Sequence, residues 1–173
     1  FGEWPTVLQE GLNWGLLTPH EIGGGYLRLQ PILPYFLRQR LRDVAQAPFR
    51  EAVEAAFCAH YDAVGGALAQ LIRSKEPQER QTGLTLTNLE YENLMTALQW
   101  ALAKQSAFYN AYEALFRFLY GQQAHQQALE VSQLVWNAHE NFDPQQMAGR
   151  IGEQFSLALN RLAVLQLDLR NYA

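Results

Sequence analysis

The most constraining feature of this sequence is a regular apolar stripe between residues 48 and 73. Its members are three or four positions apart, the spacing that places side chains on one face of an α-helix. They are Phe49, Val53, Phe57, His60, Val64, Leu68 and Leu71. After residue 45 no segment shows the strict apolar and polar alternation of a half-buried strand. We therefore expect a mainly α-helical protein.

The composition excludes several classes of protein. Hydrophobic residues make up 49% of the 173 positions, which predicts a folded chain. The net charge of −4 argues against a general nucleic-acid-binding protein, since such proteins usually carry a basic face. Cys58 is the single cysteine, which excludes an intrachain disulfide and a multi-cysteine zinc site. No apolar run reaches the about 18 residues of a membrane span. No signal peptide is visible, so we expect a cytoplasmic protein. Because the chain starts at Phe1, we also expect it to be a fragment of a longer protein.

Residues 1–45 predict a helix, a hairpin and a second helix. The first helix should end near Gly15, and short apolar runs flank a turn that contains Gly23, Gly24 and Gly25. Pro31 fits the first turn of a helix that reaches Val44. This order matches the C-terminal part of a winged-helix domain. Its glycines suit a wing tip. They do not form a phosphate-binding loop, which would need a following Lys-Ser or Lys-Thr, because Tyr26 and Leu27 follow instead.

Residues 46–104 predict a helical arm. It begins with the long helix 48–73, followed by a polar connection over 74–83. Thr87 and Glu90 fit a capping box, in which each side chain satisfies a free backbone N–H of the other's residue. We therefore expect a second helix that begins at Thr87 and reaches Lys104.

Residues 105–173 predict helix pairs similar to tetratricopeptide repeats. Helices are expected over 108–120 and 124–139, and a further helix should begin at Asp143 and Pro144 and reach Leu169. Leu115 and Leu162 begin similar segments that are 47 residues apart, a period that suits an elongated repeat. The segment would hold one and a half such repeats.

Two motifs carry a resemblance to a known family. Residues 86–101 read LTNLEYENLMTALQWA, and residues 26–37 read YLRLQPILPYFL. In this order they resemble the arm helix and the end of the winged helix in STAND-class signal-transduction ATPases of the NB-ARC type. The resemblance implies an upstream domain that binds and hydrolyses nucleotide. It also implies that Gln30 occupies the nucleotide-facing position where family members often carry histidine, although a glutamine cannot carry charge.

The sequence offers no convergent catalytic set, and we expect no enzyme activity, metal or cofactor in this chain. Cys58 lies inside a helix without an evident base, which favours packing. Glu90 and Glu92 are two positions apart and do not share a helix face. The four histidines do not cluster as metal ligands should; they are His20, His60, His125 and His139.

The aromatic residues of the first repeat are the candidates for partner binding. We expect that some pack between helices and that others line a groove for a protein or peptide ligand. The candidates are Tyr109, Tyr112, Phe116 and Tyr120. The C-terminal helix carries leucines on more than one face, which predicts weak self-association.

The predicted function is regulatory and non-catalytic: ligand binding on the repeats would be coupled to the upstream ATPase domain. The alternative is a fragment of a winged-helix DNA-binding regulator. Residues 1–45 carry four arginines and four acidic residues, which leaves no net charge to attract phosphates.

Overall fold

The computed structural model describes residues 3–21, 25–42 and 47–171, and it is mainly helical. Its α-helices are α1 (Trp4–Asn13), α2 (Ile32–Arg42), α3 (Ala47–Arg73), α4 (Pro77–Leu89), α5 (Tyr91–Ala103), α6 (Tyr109–Gly121), α7 (His125–Ala138), α8 (Pro144–Met147) and α9 (Arg150–Asn171). A single 3-10 turn, His139–Asn141, follows α7 in the described chain. The expected mainly α fold is confirmed.

The predicted hairpin is also present. Strands β1 (Leu17–Pro19) and β2 (Leu27–Leu29) pair antiparallel, with Leu17 opposite Leu29. Gly15 has a φ of 66°, a conformation that favours glycine, and it ends the first helix as the sequence predicts. The proposed wing tip at Gly23 and Gly24 lies outside the described residues.

The chain divides into two compact units, residues 1–53 and residues 54–173, and the boundary falls within α3. In the N-terminal unit none of the described residues is buried. Several large apolar side chains there are exposed, including Trp4, Trp14, Ile32, Tyr35, Phe36 and Phe49. The sequence predicts three segments, 1–45, 46–104 and 105–173, and this division stays a prediction. In the structure, residues 54–104 and 105–173 belong to the same compact unit.

The hydrophobic core lies in the C-terminal unit, where five helices contribute to it. It includes Leu68, Leu94, Leu98, Tyr112, Leu115, Val135 and Leu165. Trp100 of α5 is half-buried and packs on Phe57 of α3, with ring centroids 5.2 Å apart. The helices α3 and α5 are therefore in contact within this unit, but Phe49 and His60, which the sequence places on the apolar face of α3, are exposed.

Positions 47 residues apart are buried in matched pairs on α6 and α9. Ala111 and Ala158 form one pair, and Leu115 and Leu162 form another. Phe108, at the N-cap of α6, matches Phe155, and their rings lie 4.7 Å apart. The spacing of three and four positions in each set marks one helical face. The two helices thus bury equivalent faces.

Two glycines allow helices to approach closely. A Cβ on Gly65 would lie 2.7 Å from the backbone oxygen of Asn110, at the point where α3 meets α6. A Cβ on Gly83 would lie 2.8 Å from the backbone nitrogen of Ile72, between α3 and α4. Glycine inside a helix costs about 1 kcal/mol relative to alanine, but at Gly65 the missing side chain is what allows α3 to approach α6.

The capping box expected at Thr87 and Glu90 is wrong. Thr87 lies in the last turn of α4, and its hydroxyl donates to the backbone oxygen of Gly83 at 2.7 Å. Inside a helix, a threonine hydroxyl can donate to the backbone oxygen four residues earlier. A hydroxyl bonded in this way does not cap a helix start. The connection expected over 74–83 is largely helical, because Pro77 occupies the first turn of α4.

The helix start expected at Asp143 is confirmed. Its Oδ1 accepts a hydrogen bond of 2.7 Å from the backbone N–H of Gln145, and Pro144 is the first helical residue. The expected single helix is nevertheless split. It breaks after Met147 and resumes as α9 at Arg150.

Candidate functional site

The most concentrated set of charged side chains in the described residues surrounds Glu113 of α6. This glutamate is only 6% exposed. Arg117, one turn later on α6, donates from Nε to Glu113 Oε1 at 2.6 Å. Arg161 of α9 donates to the same oxygen from Nη2 at 2.9 Å. The buried carboxylate is thus paired with two guanidinium groups, which offsets the cost of removing its charge from water.

Tyr109 completes the cluster. Its hydroxyl donates to Glu113 Oε2 at 3.2 Å. Burial, followed by the negative charge of Glu113, raises the pKa of Tyr109, so the phenol stays protonated as a donor. Burial by itself lowers the pKa of Arg161. The hydrogen bond and the charge attraction to Glu113 outweigh this effect, so the pKa of Arg161 is raised.

A cleft of about 320 Å³ opens beside this cluster. We call it the arginine cleft. Its lining includes Glu113 together with Gly66, Arg73, Tyr109, Arg117 and Arg161. Arg73 comes from the last turn of α3, so its three arginines come from three helices. With one glutamate, the lining carries a net charge of +2, opposite in sign to the whole chain.

The four aromatic candidates for partner binding are in different environments. Tyr112 and Phe116 are buried, and their side chains belong to the core. Tyr109 is half-buried and lines the arginine cleft. Tyr120 is 38% exposed, and its hydroxyl donates to Asp168 at 2.8 Å. Tyr109 and Tyr120 therefore remain the surface candidates.

Gln30 lies in the N-terminal unit, directly after β2, and its side chain is exposed. Its backbone N–H donates to the oxygen of Leu16 at 2.9 Å, which extends the hairpin ladder by one bond. The exposed amide is free of the core, but its nucleotide-facing role stays a prediction.

Cys58 is in a setting that favours the thiol. Burial raises its pKa; the charge of Lys104 lowers it, and that of Glu54 raises it further. The Sγ atom lies 3.8 Å from the backbone oxygen of Ala97. A nucleophilic cysteine needs the reverse, a lowered pKa, so these contacts support a packing role.

Glu90 joins two helices rather than capping one. Its Oε2 accepts from the hydroxyl of Tyr61 at 2.9 Å and from the amide of Asn93 at 2.8 Å.

Over residues 3–21, 25–42 and 47–171, no group of three or more His, Cys, Asp or Glu side chains is placed to hold a metal ion.

The large aliphatic residues of α9 differ in exposure. Leu162 and Leu165 are buried in the core, whereas Leu157, Leu159, Val164 and Leu167 are exposed. Leu157, Val164 and Leu167 are spaced by seven and three positions, so they share one face, and Leu159 lies on a different face. The strip available for self-association is therefore narrower than the sequence alone indicates.

Sequence reasoning missed the Glu113 cluster. The spacing of Glu113 and Arg117 by four positions is a visible sign of an ion pair on a helix. Arg161 lies 48 residues away, and no local pattern indicates its contact with Glu113.

Comparison of the chain with family models, with curated proteins and with solved structures finds no match. Among the residues that the structure describes, no helix is both long and apolar enough to cross a membrane.

Proposed function

We propose that this chain is a non-catalytic regulatory and protein-interaction part of a multidomain signalling ATPase of the STAND class. The supporting observation is the set of matched buried positions on α6 and α9, 47 residues apart, at Phe108, Ala111 and Leu115 and their counterparts. Repeating helical units stack in this manner and present an extended binding surface. We assign the ligand, a protein or peptide, to the helical pairs of residues 105–173.

The N-terminal unit supports coupling to another domain. Its large apolar side chains are exposed, for example Trp14 at 79% and Ile32 at 73%. An apolar surface of this kind usually marks a protein contact. A DNA-binding role has less support, because α1 contains Glu10 and no basic residue.

The physical basis of the coupling is a difference in binding free energy between two states of the whole protein. A ligand on the repeats shifts the resting and active states only if it binds one of them better. The arm helices α3 to α5 join the N-terminal unit to the repeats along the chain. We propose that they transmit this difference.

The decisive experiment reads the coding sequence upstream of this segment and assays the longer product. We expect a Gly-rich loop that ends in Gly-Lys-Ser or Gly-Lys-Thr, the phosphate-binding loop of an ATPase. The longer product should hydrolyse ATP, and removal of residues 105–173 should change that rate. An upstream sequence without such a loop would overturn the proposal.

A second measurement concerns the chain by itself. Calorimetric titration with magnesium ATP should show no binding at micromolar concentrations, because the sequence contains no Gly-rich loop that ends in Gly-Lys-Ser or Gly-Lys-Thr. Micromolar binding to this chain alone would contradict its non-catalytic assignment.

A further inference from the structure

We propose that the arginine cleft binds the acidic side chains of a short peptide segment from a partner protein. This inference rests on the interaction role proposed above and names the chemistry of its ligand. Arg73, Arg117 and Arg161 supply positive charge to one concavity from α3, α6 and α9. Carboxylates are natural partners of such groups, since guanidinium donors form strong charge-assisted bonds with them.

The guanidinium groups keep donors for a ligand. Each has five N–H donors, and the contacts of Arg117 and Arg161 with Glu113 occupy only some of them. Arg73 is exposed, and within the described ranges it forms no ion pair. The cleft therefore offers both a fixed pair of guanidinium groups and one that is unengaged.

Glu113 determines which kind of anion fits. Its carboxylate already occupies the position between Arg117 and Arg161, where a compact free anion would otherwise bind both. The remaining donors are distributed among three helices. Carboxylates spaced along a peptide can contact donors on different helices at the same time.

The neighbouring cavity limits the length of the anionic segment. That cavity shares Tyr109 and Asn110 with the arginine cleft and is lined by Asp62, Glu153 and Arg150. Two acidic side chains against one basic side chain would repel a long polyanion that continued across it. A short acidic segment suits this arrangement better than a nucleic acid strand.

The test measures fluorescence polarisation of a labelled, end-blocked hexaglutamate peptide titrated with the intact chain at low salt. We expect binding below about 1 mM, weakening as sodium chloride is raised. Hexaglutamine and hexalysine peptides should not bind. Equal binding of hexaglutamine, or no binding of hexaglutamate, would overturn the inference.

The variant Arg73→Gln tests the cleft itself, because Arg73 is exposed and its removal should leave the fold unchanged by circular dichroism. Loss of one charge-assisted contact should weaken hexaglutamate binding about tenfold. Lys75→Gln is the matched control. Lys75 is exposed, lies two residues away and does not line the cleft. Equal weakening by both variants would mean that only overall charge matters and would overturn the inference.

Two further results separate the remaining explanations. Inorganic phosphate that displaces the peptide at equal concentration would identify a free-anion site and overturn the peptide assignment. The upstream coding sequence tests the proposed function independently. A phosphate-binding loop found there together with absent peptide binding would reject this inference and leave the proposed function in place.

Discussion

The side-chain oxygen of Gln154 on α9 accepts the backbone N–H of Phe108 at 3.0 Å. The same oxygen accepts the N–H of Tyr109 at 3.2 Å. Phe108 is the N-cap residue of α6, and its own side chain provides no capping bond. The first N–H groups of a helix have no partner within it. A glutamine from another helix therefore satisfies the start of α6.

We expect Gln154→Ala to lower the free energy of unfolding by about 2 kcal/mol, since it leaves buried N–H donors without an acceptor. Urea denaturation measures this change. Gln166→Ala is the control, because Gln166 is an exposed glutamine on the same helix. Its effect should stay within about 0.5 kcal/mol. Equal effects of the two variants would show that Gln154 does not act as the cap.

Adjacent glycines of α3 should respond in opposite directions to the same substitution. In Gly65→Ala the new Cβ would lie 2.7 Å from the oxygen of Asn110, in the backbone of α6. We expect a loss of about 1–3 kcal/mol from this overpacking. In Gly66→Ala the nearest atom, in the Asn110 side chain, is 3.5 Å away. That variant should gain about 0.5–1 kcal/mol. Thermal denaturation compares the two variants with the parent. A Gly65→Ala protein as stable as the parent would contradict the close approach of α3 and α6.

Tyr112→Phe should cost about 1 kcal/mol at neutral pH, because it removes a buried hydroxyl that contacts Ser132 Oγ and also donates to the backbone oxygen of Ala158 at 3.5 Å. The Tyr112 hydroxyl and Ser132 Oγ lie 2.9 Å apart. Ser132 Oγ also donates to the backbone oxygen of Ala128 at 2.8 Å, so it keeps a partner in the variant. Chemical denaturation at neutral pH measures the loss.

The same pair of proteins tests the pH dependence. Burial raises the pKa of Tyr112 above its ordinary value, an effect that its hydrogen bond to Ser132 partly opposes. Above about pH 10 the unfolded tyrosine loses its proton while the folded one keeps it, so stability falls as pH rises. The difference in free energy of unfolding between the parent and Tyr112→Phe should therefore shrink as the pH rises above about 10. A constant difference would contradict the shifted pKa.

The exposed face of α9 predicts weak self-association. Leu157, Val164 and Leu167 form this face, and Leu167 is 60% exposed. Light scattering at high micromolar concentration should show a dimer that Leu167→Glu abolishes. Leu159→Glu is the control, because Leu159 is 43% exposed but lies on a different face of α9. A strictly monomeric parent would contradict this prediction.

The sequence by itself determined the mainly helical fold, the hairpin and the start of α8. The helices depend on interactions within about four residues, which leave readable patterns such as the spacing from Phe49 to Leu71, and the hairpin joins two strands that are consecutive along the chain. Asp143 and Pro144 form a start signal because the cap and the fixed φ of proline act locally. Thr87 shows the limit of this reasoning. The same residue types fit a helix start and a helix end, and tertiary packing placed Thr87 in the last turn of α4.

Only the tertiary structure decided which side chains form the candidate site. Tyr109 and Tyr112 are three positions apart on one helix, yet the first borders the arginine cleft and the second lies in the core. Glu113 binds Arg161 across 48 residues, and Gln154 caps α6 across 46. Such contacts depend on how α9 packs against α6. Helical periodicity specifies which face of each helix is apolar, but it does not specify which faces meet, because that depends on the close fit of side chains from distant segments.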